Sequence, residues 1–146
     1  MGSSEGTGPP YVGALAHQLY RLARERVVQS IRDAGGTDVH ETHLPVFSYP
    51  LPDGMRPADL ARRLGMSRQA GNHAIQQLEA LGYLERRPAP GGGTRRLVYL
   101  QPRGWRIAEA IWASMRALEA ELAAEVGEER FATFMAVLRE VTAARR

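Results

Sequence analysis

Between Arg56 and Arg87 the chain reads RPADLARRLGMSRQAGNHAIQQLEALGYLERR, and this stretch constrains the fold more than any other. Pro57 suits the start of a helix, where its missing N–H would have had no partner anyway. Leu60, Ala61 and Leu64 then share one face, and Gly65 ends the run. Ser67 is placed to cap a second helix by accepting a backbone N–H. Beyond it Ala70, Ala74, Ile75, Leu78 and Leu81 recur at helical spacing, up to a stop at Gly82. Two short helices joined by a turn around Gly65 make the helix-turn-helix pattern.

The flanking segments extend that module. Residues 83–87 and 95–101 alternate as strands do, around the Pro- and Gly-rich tip PAPGGGT. They predict a β-hairpin wing. The triple glycine is not read as a phosphate cradle, because no strand–loop–helix context and no GxxxxGK pattern accompany it. Residues 1–10 are small and polar and predict a disordered tail. A helix is expected over 11–34, stopped by Gly35-Gly36, followed by a short helix over 42–49 and a turn over 50–54. Pro102 opens a long helix whose apolar residues recur from Ile107 to Val126, Gly127 breaks it, and a last helix covers 129–144. The fold class expected is mainly α with a small β-hairpin wing. A winged helix-turn-helix over 38–101 would sit between an N-terminal helix, 11–34, and C-terminal helices, 102–146.

Charge singles out the central module. All 19 basic residues are arginine, and nine of them (56, 62, 63, 68, 86, 87, 95, 96 and 103) fall in residues 56–103 against only Asp59, Glu79 and Glu85. Four arginines face six acids before that segment, and six face seven after it. A basic surplus confined to one module suggests a polyanion-binding surface. With its apolar positions turned inward, the second helix presents Arg68, Gln69, Asn72, His73 and Gln76 outward, and no acid occurs from Arg68 to Leu78. Arginine pairs with guanine and side-chain amides pair with adenine, so these five are the expected base-reading residues for double-stranded DNA. Ser67, Arg62, Arg63, Arg86 and Arg87 are candidate phosphate contacts, which position the protein without specifying sequence. Gly71 breaks helix propensity by roughly 1 kcal/mol relative to alanine. It serves a close backbone approach, to DNA or to the preceding helix, or it serves nothing.

The run ADLARRLGMSRQAGNHAIQQLEALGYLERR, the tip ending in Thr94-Arg95-Arg96 and the following LVYLQPRG resemble the multiple-antibiotic-resistance regulator (MarR) family. That resemblance covers most of the chain, since the N-terminal helix and the two C-terminal helices also match the family's layout. It implies a homodimer built from those outer helices, repressing by binding a pseudo-palindromic operator. It also implies that Arg95 or Arg96 enters the minor groove from the wing. The usual acidic-Arg-Arg wing stands here as Gly93-Thr94-Arg95-Arg96, without the acid, and Gly71 and His73 replace a larger and a basic residue. Regulators of this kind often release DNA on binding a small phenolic or lipophilic effector. Tyr11, Tyr20, Phe47, Tyr49, Trp112 and Met115 are the candidate lining residues, although aromatics at such spacing also serve as core.

The outer helices argue for dimerisation on their own account. Their apolar stripes, with Trp112, Phe131 and Phe134, need a second surface, which is either a partner copy or one another. Other function classes are disfavoured. There is no cysteine, hence no disulfide, thiol nucleophile or thiol sensor. No Gly-x-Ser-x-Gly or ordered triad suggests an enzyme. His40 and His43 have a metal-compatible spacing but no third ligand, so no metal and no cofactor are expected. No apolar run is long enough to span a bilayer and no signal peptide is evident, so the expected setting is cytoplasmic, with no membrane partner. The rival is a winged-helix protein-interaction module, which would show apolar anchors where residues 68–77 show polar ones.

Overall fold

The computed structural model describes residues 8–48 and 53–143. Residues 1–7 of the expected tail, Tyr49 and residues 50–52 of the expected turn lie outside the described residues. The elements run α1 (Val12–Asp33), a 3-10 helix (Glu41–Ser48), α2 (Pro57–Arg63), α3 (Arg68–Ala80), β1 (Leu84–Pro88), β2 (Arg96–Leu100), α4 (Pro102–Val126) and α5 (Glu128–Ala143). The segment expected as a helix over 42–49 is therefore helical but wound as a 3-10 helix, with Pro45 inside it. Short 3-10 pieces of this kind are common connectors.

The chain divides into two compact units, residues 29–112 and residues 1–28 with 113–146. The first unit is a winged helix-turn-helix with its own core. Phe47, Leu60, Ile75, Leu78, Tyr83, Leu84, Val98 and Ile107 are all essentially buried in it. Antiparallel pairing sets Leu84 opposite Leu100, Arg86 opposite Val98 and Arg87 opposite Leu97. Met55 adds a bridge to Val98, with backbone N–H···O distances of 3.1 and 2.8 Å. Strand alternation sends Leu84, Val98 and Leu100 into the core and leaves Glu85, Arg87, Leu97 and Tyr99 on the opposite face.

Two details of α3 differ from the pattern read in the sequence. Ala70 is exposed rather than buried, and Leu81 is only half-buried. The inward position belongs to Gly71, because α2 crosses there: a Cβ on Gly71 would stand 2.4 Å from Ala61 Cβ. Of the three readings of this glycine, the structure favours close approach to the preceding helix.

The second unit is all helix and has little interior. Leu118, at 4% exposure, is its one buried hydrophobic among the described residues. Arg26 grips Glu121 through both guanidinium nitrogens, at 3.0 and 2.6 Å, and Ser114 Oγ donates to the Arg26 carbonyl at 3.2 Å. The pair holds Glu121 below the usual carboxylate range and Arg26 above its own, chiefly through these hydrogen bonds. Among the described residues, every large hydrophobic left exposed lies in this unit, Val12 at 82%, Tyr11 at 67%, Tyr20 at 62% and Val137 at 52% among them.

Candidate nucleic-acid interface

Helix α3 begins where the sequence says it should. Ser67 has extended backbone angles and its Oγ accepts the Ala70 N–H at 3.1 Å, satisfying one of the first-turn donors. From that cap Arg68, Gln69, His73 and Gln76 stand exposed and Asn72 half-exposed. Together with Ser67 and Ala70 they line one open depression on the helix surface. The five residues picked as base readers thus share a single acid-free surface, and the helix N-terminus adds its partial positive charge.

The arginines around it sort into distinct environments. Arg62 is largely exposed, 3.5 Å from Asp59 one turn earlier, and Arg63 is exposed on the same helix. Arg95 and Arg96 are exposed at the end of the wing. Arg86 points to the other side: its Nε donates to Glu79 Oε1 at 3.0 Å, its side chain is only a quarter exposed, and its buried Nη2 has no partner. It ties β1 to the C-terminal half of α3. Arg87 lies on the outer face, its Nε 3.0 Å from Glu85 Oε1 and its guanidinium 3.8 Å from the centre of the Tyr99 ring.

The candidate effector residues are spread over both units. Tyr11 and Tyr20 are exposed and Met115 is half-buried in the helical unit. In the winged unit Phe47 is fully buried, edge-on to Tyr83 at 5.8 Å, and half-buried Trp112 stands edge-on to Trp105 at 6.0 Å.

Both nitrogens of buried His43 are engaged inside the fold. Nδ1 accepts the His40 backbone N–H at 3.3 Å, which leaves Nε2 to carry the proton and donate to Gln77 Oε1 at 2.8 Å. This links the 3-10 helix to α3. Among the described residues no cluster of three or more His, Asp or Glu side chains is arranged to hold a metal. Nor is any helix there long and apolar enough to cross a membrane.

Sequence reasoning missed a cluster that braces the module. Tyr83 donates its hydroxyl proton to Asp38 Oδ1, and Arg103 Nη2 donates to Asp38 Oδ2 at 3.0 Å. Arg103 also donates to the Leu81 carbonyl and lies 4.3 Å from the centre of the Tyr83 ring. Burial, reinforced by the bond to Asp38, pushes the Tyr83 hydroxyl up to about 12. The same bond, with help from Arg103, holds the Asp38 carboxyl below its ordinary range. The cluster joins the loop after α1, the turn between α3 and β1 and the first turn of α4. Nothing in the local sequence pairs residues 38, 83 and 103; the sequence placed Tyr83 only as the first residue of a strand.

Residues 50–93 match the model of the MarR family, covering α2, α3, β1 and the first part of the tip but not β2. No curated protein matches the chain. Solved structures do match. A MarR-family transcriptional regulator from Silicibacter pomeroyi superposes with a TM-score of 0.69 at 19% identity, over 93% of this chain and 90% of that one. RV1404 from Mycobacterium tuberculosis gives 0.67 at 19% identity, over 95% and 97%. A mutant of S. aureus MepR bound to an oligodeoxyribonucleotide gives 0.59 at 16% identity, over 93% and 99%. MepR bound to ethidium bromide gives 0.63 at the same 16%, over 93% and 97%. The helix-turn-helix stretch thus resembles the MarR family, and nearly the whole chain shares the winged helix-turn-helix fold of these structures.

Proposed function

We propose that the protein is a homodimeric, sequence-specific DNA-binding transcriptional regulator acting as a repressor. The observation that carries this reading is the outward surface of α3, where Arg68, Gln69, Asn72, His73 and Gln76 gather with no acid among them. Each is a donor-bearing side chain suited to base edges in the major groove. Arg95 and Arg96 at the wing would serve the minor groove. Ser67, Arg62, Arg63 and Arg87 would serve phosphates, and the Glu79-bound Arg86 is the least available of that set. The dimer is supported by the helical unit, whose apolar side chains outnumber what its thin interior covers. Two copies related by a twofold axis would set their recognition helices about one DNA turn apart, roughly 34 Å. MepR's complexes with an oligodeoxyribonucleotide and with ethidium support DNA as the partner and a small lipophilic molecule as the releasing ligand.

The test is selection of bound duplexes from a random DNA pool near physiological salt, with the oligomeric state measured in parallel. Enrichment of an inverted repeat by a dimer is the expected result. Tight binding without enrichment would make the protein an architectural DNA binder instead. Absence of binding at any salt would favour a winged-helix protein-interaction module. With an enriched duplex in hand, displacement by cationic or phenolic lipophiles tests the effector part of the reading, since a ligand acts only by preferring the DNA-free state.

A further inference from the structure

The outer face of the hairpin holds one arginine in a way that its neighbours are not held. Arg87 is fixed twice. Its Nε forms an ion pair with Glu85 Oε1 at 3.0 Å, and the flat of its guanidinium lies 3.8 Å from the centre of the Tyr99 ring. Tyr99 is itself anchored, at 9% exposure, by the segment that Met55 stitches to Val98. Gly54, with φ of +76°, passes so close that a Cβ there would stand 2.5 Å from Tyr99 Cζ. A side chain at residue 54 would therefore strain the backbone and push the ring out of place. Strand alternation completes the separation: Arg86 turns inward to Glu79, while Arg87 stays more than half exposed.

Building on the DNA-binding reading above, we propose that Glu85 and Tyr99 are positioning residues that hold Arg87 ready for a phosphate of the DNA backbone. A guanidinium carries five N–H donors. The ion pair with Glu85 engages the Nε end, and the two terminal nitrogens are left for the paired oxygens of a phosphate. Stacking on the ring removes much of the rotamer freedom that a long side chain would otherwise lose on binding. The acid absent from the Gly93-Thr94-Arg95-Arg96 tip is thus supplied two residues before a different arginine, on the opposite strand.

The test uses the full chain and the duplex enriched by selection, titrated across a salt series. Arg87→Ala is expected to weaken binding roughly tenfold, the usual worth of a hydrogen bond to a charged group. It should also lower the log–log salt slope by about 0.9, one phosphate contact. Arg87→Lys should recover little, having neither the fork nor the flat face. Tyr99→Leu should weaken binding several-fold in the Arg87 protein but not in the Arg87→Ala background, and Tyr99→Phe should be silent. Glu85→Ala removes a negative charge near DNA yet should also weaken binding. Tighter binding by Glu85→Ala, or equal losses for Tyr99→Leu in both backgrounds, would reduce the pair to ordinary hairpin packing. An unchanged slope and affinity for Arg87→Ala, with the parent protein still binding, overturns this proposal alone. A parent protein that binds no duplex overturns the DNA reading and this proposal with it.

Discussion

At Gly71 α3 comes so close to α2 that its lack of a side chain is what leaves room for Ala61. Replacing it by alanine gains about 1 kcal/mol of helix propensity but forces a methyl into Ala61. Overpacking of that kind costs about 1–3 kcal/mol, so Gly71→Ala is expected to be net destabilising by up to about 2 kcal/mol. A lowered urea midpoint at unchanged m-value would show it. Asn72, one residue on, lies on the exposed side, and its alanine variant should keep stability while losing about 1–3 kcal/mol of discrimination between operator and random duplex. Parallel titrations on both duplexes measure this, and an equal loss on each would take Asn72 out of the base-reading set. The contrast between these neighbours was only partly legible in the sequence. Helical spacing placed Asn72 outward correctly, but it also placed Ala70 inward, because periodicity reports a face and not the angle at which another helix crosses it. Packing against α2 leaves Ala70 exposed and makes Gly71 the contact.

At the scale of elements, punctuation was the most readable signal. Pro57, Ser67, Pro102 and Gly127 sit at or beside the observed ends of α2, α3, α4 and α5, since capping and φ restriction are local effects. What local effects do not encode is the brace between elements. Asp38, Tyr83 and Arg103 come from a loop, a turn and a helix start, and their pairing exists only in the folded chain. Its pH signature has a definite sign. Asp38 is held below its unfolded value, near 3.9, so its contribution is present at neutral pH and fades as acid carries the solution below about 4. Tyr83 is raised, so its contribution is intact below about 10 and is lost as pH climbs toward about 12. Tyr83→Phe should flatten the alkaline limb of a stability–pH curve and Asp38→Asn the acid limb. Limbs that keep the parent slope in both variants would show that the cluster contributes nothing through its ionisation.

For the whole molecule the informative asymmetry is where apolar surface ends up. The winged unit buries its large side chains, and the helical unit leaves Tyr11, Val12, Leu15, Tyr20, Phe134 and Val137 in contact with solvent. Their stripes were visible in the sequence, whereas the choice between mutual packing and a partner copy was not, because spacing says which residues are apolar and not what covers them. Val137, at 52% exposure, offers a clean probe: Val137→Glu should cost an isolated chain little. In the proposed dimer it should shift sedimentation toward monomer and weaken operator binding with it. A variant that stays dimeric would place the interface elsewhere. In the proposed dimer, the thin interior of the helical unit would make its order depend on mass action. For an assembly of this kind, stability is inseparable from protomer concentration. On dilution the outer helices should melt earlier while the winged unit holds its midpoint. If the proposed dimer holds, a cell with few copies of this chain would carry folded winged units without the paired scaffold, and gene dosage would itself become an input to DNA binding.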